Sequence, residues 1–338
     1  MNEGMGKSNI PRPVAVLGGG TMGRNIALHL LLHGETVRLC EIDAASRAAI
    51  NSQLHAAVEL MSRNGLPQPQ AGWNERLTLH ANLREAAATA DLVIEAIPED
   101  REAKRALFRE LERHCAVDTI FASNTSGFLP SSLATGLAHP ERLVVAHFWN
   151  PAHLVPLVEI VPHPGTSPGV VDALRRRLVA WDKQVVVLRV EVEGFIGHRL
   201  AFAMHREAMD LVQRGIASPD EIDAVVQYGF GRRLPASGLF GTADLGGLDV
   251  YFAVCNSVFP DLCTARGAPH QLAFLVEQHR LGVKTGAGWR TYDETSASAL
   301  REAVTEELIR HARLDHLKKA ALTSPDLPNA AEDNSVPC

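Results

Sequence analysis

A glycine-rich segment near the start of the chain constrains the fold more than any other feature. Residues 18–23 read Gly-Gly-Gly-Thr-Met-Gly. They directly follow the apolar run 14–17, which has strand length, and they open the segment 25–32, which has helical length and periodicity. A glycine turn between a strand and a helix is typical of nucleotide-binding proteins, because the helix N-terminus presents N–H donors to phosphate groups.

An acidic residue at the expected distance sharpens this prediction. Glu41 ends a second predicted strand, 36–40, and lies 21 positions after Gly20. Its carboxylate can accept hydrogen bonds from both adenosine ribose hydroxyls and would repel a 2′-phosphate. The sequence therefore predicts an NAD site rather than an NADP site, and FAD, which uses the same opening, is disfavoured by the residues that follow. The predicted site includes Gly18 for the tight turn, Gly20 for close approach to the pyrophosphate, Gly23 for helix packing, and Thr21 and Met22 between them.

Composition and charge narrow the class of protein. At 338 residues with 46% apolar residues, the chain suggests two packed domains. The net charge of −6 argues against nucleic acid as a partner, and no apolar run approaches the roughly 18 residues of a membrane span. The five cysteines are scattered without a C-x-x-C pair, so neither a metal site nor a disulfide framework is indicated. We expect a cytoplasmic protein with a small-molecule substrate.

The chain changes character along its length. Residues 12–192 alternate strand-like and helix-like segments, which predicts an α/β domain with a doubly wound, mostly parallel sheet. Residues 193–293 show apolar residues at helical spacing and no convincing strand, which predicts an all-helical domain. Apolar stripes on such a domain also suit a homodimer interface. Residues 294–322 are expected to form a helical extension, and residues 323–338, with three prolines, a disordered tail.

A histidine lies near the end of a predicted buried strand, 143–148, later in the same domain. His147 lies in the sequence His-Phe-Trp-Asn-Pro, and Glu159 follows it by twelve residues in the next strand-like run. A histidine there can take a hydroxyl proton while hydride leaves the same carbon, without a metal, and a carboxylate on its other ring nitrogen fixes the tautomer. Spacing alone leaves open whether the two side chains meet or whether His147 is a structural histidine.

Polar residues also end the preceding strand. Residues 123–127 read Ser-Asn-Thr-Ser-Gly, and they include Asn124 and Ser126. Such groups at the carboxyl edge of a sheet can hold a nicotinamide carboxamide, bind a substrate hydroxyl or merely cap the next helix. The residue types alone leave these three roles open, and among them we expect Asn124 to bind the cofactor.

Taken together, these motifs resemble the 3-hydroxyacyl-CoA dehydrogenase family over about residues 12–293. The resemblance rests on the glycine segment with Glu41, the Ala-Ile-Pro-Glu-Asp run at 96–100, the polar run 123–126, the His147 segment with Glu159, and Gly-Phe-Ile at 194–196. Further matches are Gly-Gly-Leu-Asp at 246–249 and Lys-Thr-Gly-Ala-Gly at 284–288.

The resemblance implies specific roles. The family's catalytic pair matches His147 and Glu159, and the residues that hold substrate near the histidine match Ser126 and Asn150. The family residues that lie by the cofactor match Glu99 and Lys104. It also implies that the helical domain forms a homodimer and that the active site lies in a cleft between the two domains.

Two departures concern the substrate. The family usually has asparagine where this chain has His198, which can favour an anionic substrate group or simply fill the space at reduced activity. Residues 50–61 also lack the basic residue that the family uses for CoA, and residues 156–164 resemble a divergent branch. That branch includes L-gulonate 3-dehydrogenase with lambda-crystallin, L-carnitine dehydrogenase and a pyridine-carboxylate dehydrogenase of vitamin B6 breakdown, which oxidise polar free acids or similar alcohols.

Two arginines extend this interpretation. Arg232 and Arg233 lie where the branch's substrate pocket is expected, and either can pair with a carboxylate or remain a solvated surface charge. The leading hypothesis is an NAD-dependent oxidoreductase of a 3-hydroxy group, with a slight preference for a free acid over a CoA thioester of fatty acid metabolism. The alternative is a non-catalytic, crystallin-like NAD-binding protein, and a flavoprotein is weaker still.

Overall fold

The computed structural model describes residues 12–323, and its first compact unit is built on an eight-stranded sheet. The strand order is β3-β2-β1-β4-β5-β6-β7-β8, and every neighbouring pair is parallel except β6 and β7. The predicted α/β, mostly parallel sheet is therefore confirmed. The strands are β1 (Val14–Leu17), β2 (Val37–Cys40), β3 (Leu77–His80), β4 (Leu92–Glu95), β5 (Ile120–Ser123), β6 (Leu143–Phe148), β7 (Leu157–Val161) and β8 (Gln184–Val187).

Helices cover both faces of this sheet. Because successive side chains of a strand point to opposite faces, Val14 and Val16 of β1 join one core cluster while Ala15 and Leu17 join another. The helices of the unit are α1 (Thr21–Leu32), α2 (Ala44–Arg63), α3 (Leu83–Ala87), α4 (Arg101–Glu112), α5 (Pro130–Ala134) and α6 (Pro168–Ala180). Residues of α1, α2 and α6 belong to the first cluster, and residues of α3, α4 and α5 belong to the second.

Side-chain caps begin the helices that lead away from the carboxyl edge of the sheet. Asp43 accepts a hydrogen bond from the Ser46 N–H at the start of α2, and Asp100 accepts one from the Ala103 N–H at the start of α4. These caps set where each helix begins, and they therefore fix the short loops between strand ends and helices.

The second compact unit spans residues 196–303 and contains helices with only isolated β-bridges. This confirms the all-helical prediction for the described residues. Its helices are α7 (Gly197–Gln213), α8 (Pro219–Tyr228), α9 (Leu234–Gly246), α10 (Leu248–Val258) and α11 (His270–Glu277). Within residues 12–323, no helix combines the length and the apolar character needed to cross a bilayer.

The last helix, α12 (Glu294–Thr323), belongs to both units. From Val304 onward it joins the first unit, where Ile309 is buried in the core and Arg313 donates hydrogen bonds to Asn64 O and Oδ1 at 2.6 and 3.0 Å. The sequence predicted a helical extension over 294–322 but gave no sign of this packing. Apart from Thr323, the predicted disordered tail 323–338 lies outside the described residues.

We expect Ile309→Ala to lower the free energy of unfolding by about 2–4 kcal/mol, because it empties a buried site in the core beneath α12. Leu317→Ala on the same helix is the matched control, since that side chain is 63% exposed, and it should change stability by less than about 0.5 kcal/mol. Urea denaturation of the full chain measures both values. Equal stability of the two variants would contradict the packing of α12.

Candidate active site

The glycine loop leaves its backbone open to a ligand. A Cβ at Gly18, whose φ is +104°, would lie 2.5 Å from Ala96 O, and one at Gly23 would lie 1.7 Å from Gly18 O. These two glycines are therefore required by the turn itself. No atom lies within 4 Å of where a Cβ of Gly20 would be, so this part of the loop is free for the close approach of a pyrophosphate.

Glu41 lies directly beside the loop. Its Oε2 accepts a hydrogen bond from Gly19 N at 2.8 Å, and its Oε1 accepts one from Asp43 N at 2.9 Å. Arg24, which the sequence analysis did not single out, donates from Nη1 to Gly19 O at 2.9 Å. An open glycine turn, a helix N-terminus and an ordered carboxylate fit the dinucleotide NAD.

A buried ion-pair network follows β4. Lys104 is 1% exposed, and its Nζ lies 2.5 Å from Glu95 Oε1 and 3.2 Å from Glu99 Oε2. Burial raises the pKa of Glu95, and the ammonium of Lys104 opposes that rise. Glu99 in turn accepts hydrogen bonds from Ser126 N at 3.1 Å and from the Thr125 hydroxyl. The network therefore orders the polar turn that follows β5.

Glu95 and Asn124 show what sequence reasoning missed at this edge. Glu95 is fully buried, and a single acidic residue at the end of an apolar strand was the signal that could have identified it. Asn124 was predicted to bind the cofactor. In the structure its Oδ1 accepts a hydrogen bond from Phe148 N at 2.8 Å, which ties the end of β5 to the end of β6.

His147 and Glu159 face each other across the antiparallel pair β6 and β7. His147 Nδ1 lies 2.9 Å from Glu159 Oε2, and the two residues are 3% and 1% exposed. The imidazole is flanked by the rings of Trp149 and Phe195, with centroid distances of 5.3 and 5.4 Å. Because Glu159 holds Nδ1, the tautomer is set and Nε2 is the ring nitrogen suited to proton exchange.

The other predicted residues divide between the two units. Asn150 follows β6, and its Oδ1 accepts a hydrogen bond from Asn25 Nδ2 of α1 at 3.2 Å. His198, Arg232 and Arg233 all lie in the second unit. His198 stacks edge-on against Phe202 in the first turns of α7, at a centroid distance of 5.9 Å. Arg232 donates from Nε to Gln227 O at 3.2 Å and lies over the ring of Tyr228. Arg233 is the residue that directly precedes α9, and its side chain makes no capping hydrogen bond to that helix.

A dinucleotide-binding loop and a buried His–Glu pair are the parts of a nicotinamide-dependent alcohol dehydrogenase. The model for the 3-hydroxyacyl-CoA dehydrogenase NAD binding domain matches residues 13–192, and the model for that family's C-terminal domain matches residues 194–292. The chain belongs to the 3-hydroxyacyl-CoA dehydrogenase family and is an NAD-dependent dehydrogenase acting on a hydroxyl group.

Individual relatives agree with this assignment. The chain is 30% identical over 303 residues to 5-formyl-3-hydroxy-2-methylpyridine 4-carboxylate 5-dehydrogenase of Mesorhizobium japonicum, covering 90% of this chain and 98% of that protein. It is 35% identical over 236 residues to L-carnitine dehydrogenase of Oceanobacillus iheyensis, covering 70% and 76%. A crystal structure of an NAD⁺-dependent dehydrogenase of the same pyridine carboxylate superposes with a TM-score of 0.85, at 30% identity, covering 91% of this chain and 99% of that one.

Three basic side chains cluster near the turn that follows Asn150. Burial, together with repulsion from Lys183, lowers the pKa of His153 to about 4. Burial, Lys183 and His33 hold the pKa of His29 well below its usual range, while its Nε2 lies 2.8 Å from Trp181 O. These histidines are therefore neutral in the folded protein near pH 6.

We expect the free energy of unfolding to decrease as the pH falls from 6.5 to 4. The unfolded state binds a proton at His153 in this range, while the folded state excludes it until the pH nears 4. His153→Gln removes this proton uptake. Between pH 6.5 and pH 4 the free energy of unfolding should therefore decrease less in the variant than in the wild type, and the difference should be about 3 kcal/mol at most.

The matched control is His316→Gln, which changes an exposed histidine on α12 and should retain the wild-type pH dependence. Chemical denaturation at pH 4, 5, 6 and 7 checks the comparison. If the free energy of unfolding depended on pH in the same way in wild type and His153→Gln, the pKa of His153 would not be lowered in the folded protein, and the prediction would be wrong.

Proposed function

We propose that this enzyme oxidises a 3-hydroxy group to a ketone with His147 as general base. The buried contact between His147 and Glu159, on the carboxyl side of the sheet that carries the glycine loop, supports this role most directly. Bound NAD supplies the hydride acceptor. The protein's own task is then to bind the alcohol, orient it and remove one proton.

The proton step follows from the pair's surroundings. His147 Nε2 takes the hydroxyl proton as the hydride leaves the same carbon, and the ring becomes positively charged. The carboxylate of Glu159 stabilises that charge at Nδ1, an effect strengthened because both groups are buried. In this proposal Ser126 and Asn150 donate hydrogen bonds that hold the reacting oxygen near the imidazole, and Glu99 and Lys104 lie by the cofactor.

For the substrate we propose a polar free 3-hydroxy acid. Both arginines of α2 contact groups of the protein itself: Arg47 donates to Glu41 O at 2.7 Å, and Arg63 pairs with Glu59. Between these two arginines, residues 50–61 hold no lysine or arginine that could bind a CoA phosphate. His198 supplies a donor that an anionic group can accept from, and the names of the pyridine-carboxylate and carnitine relatives point the same way.

One further observation supports the free-acid proposal, and another favours its alternative. In Arg232 and Arg233 the second unit has two further guanidinium groups that can pair with a substrate carboxylate. The thioester alternative is favoured by relatives such as 3-hydroxyadipyl-CoA dehydrogenase of Escherichia coli, which is 35% identical over 302 residues. That alternative would place the reaction in fatty acid metabolism.

We further propose a homodimer formed through the second unit. In the single chain this unit leaves large apolar side chains in solvent, among them Phe240 at 87%, Leu245 at 85% and Phe252 at 72% exposure. Exposed apolar surface on this scale is typical of subunit interfaces.

We also propose a cytoplasmic location. The four described cysteines are free thiols, which supports a reducing compartment.

Replacing the proposed base tests the mechanism. His147→Gln should lower kcat by about 10²- to 10⁴-fold and leave the NAD dissociation constant within about twofold of wild type. The control His139→Gln removes an exposed histidine of the same unit and should retain full turnover. Near-normal turnover in His147→Gln would show that another group takes the proton.

Initial rates of NAD reduction test the substrate. We expect turnover with at least one free acid among carnitine, gulonate and 3-hydroxybutyrate, and less than a tenth of that rate with 3-hydroxybutyryl-CoA. Turnover of the thioester alone would overturn the free-acid proposal. No turnover with any of the four, despite measurable NAD binding, would favour the non-catalytic alternative.

A further inference from the structure

A buried lysine contacts the segment that carries the proposed substrate residue. Lys183 lies between α6 and β8 and is 4% exposed. Its Nζ donates to Ala152 O at 2.5 Å and to Val155 O at 2.9 Å, and lies 5.8 Å from the centroid of the Phe148 ring. Among the described side chains, no carboxylate oxygen lies within 4 Å of this ammonium. The lysine is therefore held by the backbone of one turn rather than by an ion pair.

That turn directly follows Asn150 and joins β6 to β7. The N–H groups of Leu154 and Val155 both donate to Pro151 O at 3.0 Å, so residues 151–155 form a single hydrogen-bonded turn. Lys183 binds one carbonyl near the start of this turn and one at its end. Its two hydrogen bonds therefore restrain the backbone from Asn150 to the first residues of β7.

Burying the Lys183 ammonium group costs free energy, which indicates that this side chain does more than fill space in the core. Burial lowers the pKa of Lys183 to about 7, and the neighbouring basic groups His29 and His153 add no compensating charge. Asp182 is the acidic residue that favours its charged form, and Asp182 is itself paired with Lys319 and His33. An apolar side chain would fill the same volume without desolvating an ammonium group.

We propose that Lys183 is a positioning residue for the dehydrogenase reaction. By holding residues 151–155 it fixes Asn150, so that the Asn150 amide meets the reacting oxygen of the substrate beside His147. This inference rests on the proposed function, because it takes Asn150 as a substrate-binding residue. It concerns binding of the alcohol and not binding of NAD.

Lys183→Met tests the inference, because it keeps the apolar stem and removes the donors. The substrate is the alcohol of the panel above with the highest turnover. We expect kcat/KM for this alcohol to fall about ten- to hundredfold, mainly through KM, while KM for NAD changes less than about twofold. The matched control Lys319→Met removes an exposed lysine that contacts Asp182, the residue preceding Lys183, and should leave both constants unchanged.

A double-mutant cycle separates positioning from general stability. If Lys183 acts through Asn150, Lys183→Met should lower kcat/KM little further in an Asn150→Ala background, while its effect on Tm should be the same in both backgrounds. Equal fold losses in both backgrounds, or a parallel rise in KM for NAD, would overturn the inference.

Lys183→Gln covers the case in which the methionine variant does not fold. It retains N–H donors without a charge, and it should recover part of the lost affinity for the alcohol. Failure of both variants to fold, with Asn150→Ala folded, would assign Lys183 to folding alone and overturn the inference. Wild-type activity is measured first, so that failure of the proposed function is distinguished from failure of this inference.

Discussion

The antiparallel pairing of β6 and β7 is the constraint on which the site depends. A parallel neighbour would require a long crossover, whereas a reversal lets a short turn bring the next strand back beside the first. The register then places His147 directly opposite Glu159. Because side chains opposite each other in a sheet project to the same face, one register produces the contact and a shift by one residue would remove it.

Buried charged side chains explain how the other loops are held at the carboxyl edge of the sheet, where His147 lies. Glu95, Lys104 and Lys183 are nearly inaccessible to solvent, and a buried ionisable group is tolerated only where other groups satisfy it. Lys104 is satisfied by two carboxylates and Lys183 by two backbone carbonyls. Lys104 thereby connects α4 to a loop at the site, and Lys183 connects the segment between α6 and β8 to another. Loops at this edge of an α/β sheet are where ligands bind.

Local patterns predicted the fold well where one element or one turn was sufficient. The apolar run Val14–Leu17 and the strand that carries His147, Leu143–Phe148, are fully buried, and the glycine segment after Val14–Leu17 leads directly into α1. Side-chain caps such as Asp100 set the residue at which a helix begins. The packing of Ile309 into the first unit was missed because its partners are distant in the sequence.

The sequence by itself determined the nucleotide-binding loop, because glycines, strand, helix and Glu41 act over a short stretch of chain whose geometry is local. It also determined the alternation of strands and helices and the identity of His147 and Glu159 as candidates. Only the tertiary structure decided that these two meet, that Lys104 is held between Glu95 and Glu99, and that Lys183 reaches the turn after Asn150. Those contacts depend on sheet register and on long-range packing, which residue types and spacing do not specify.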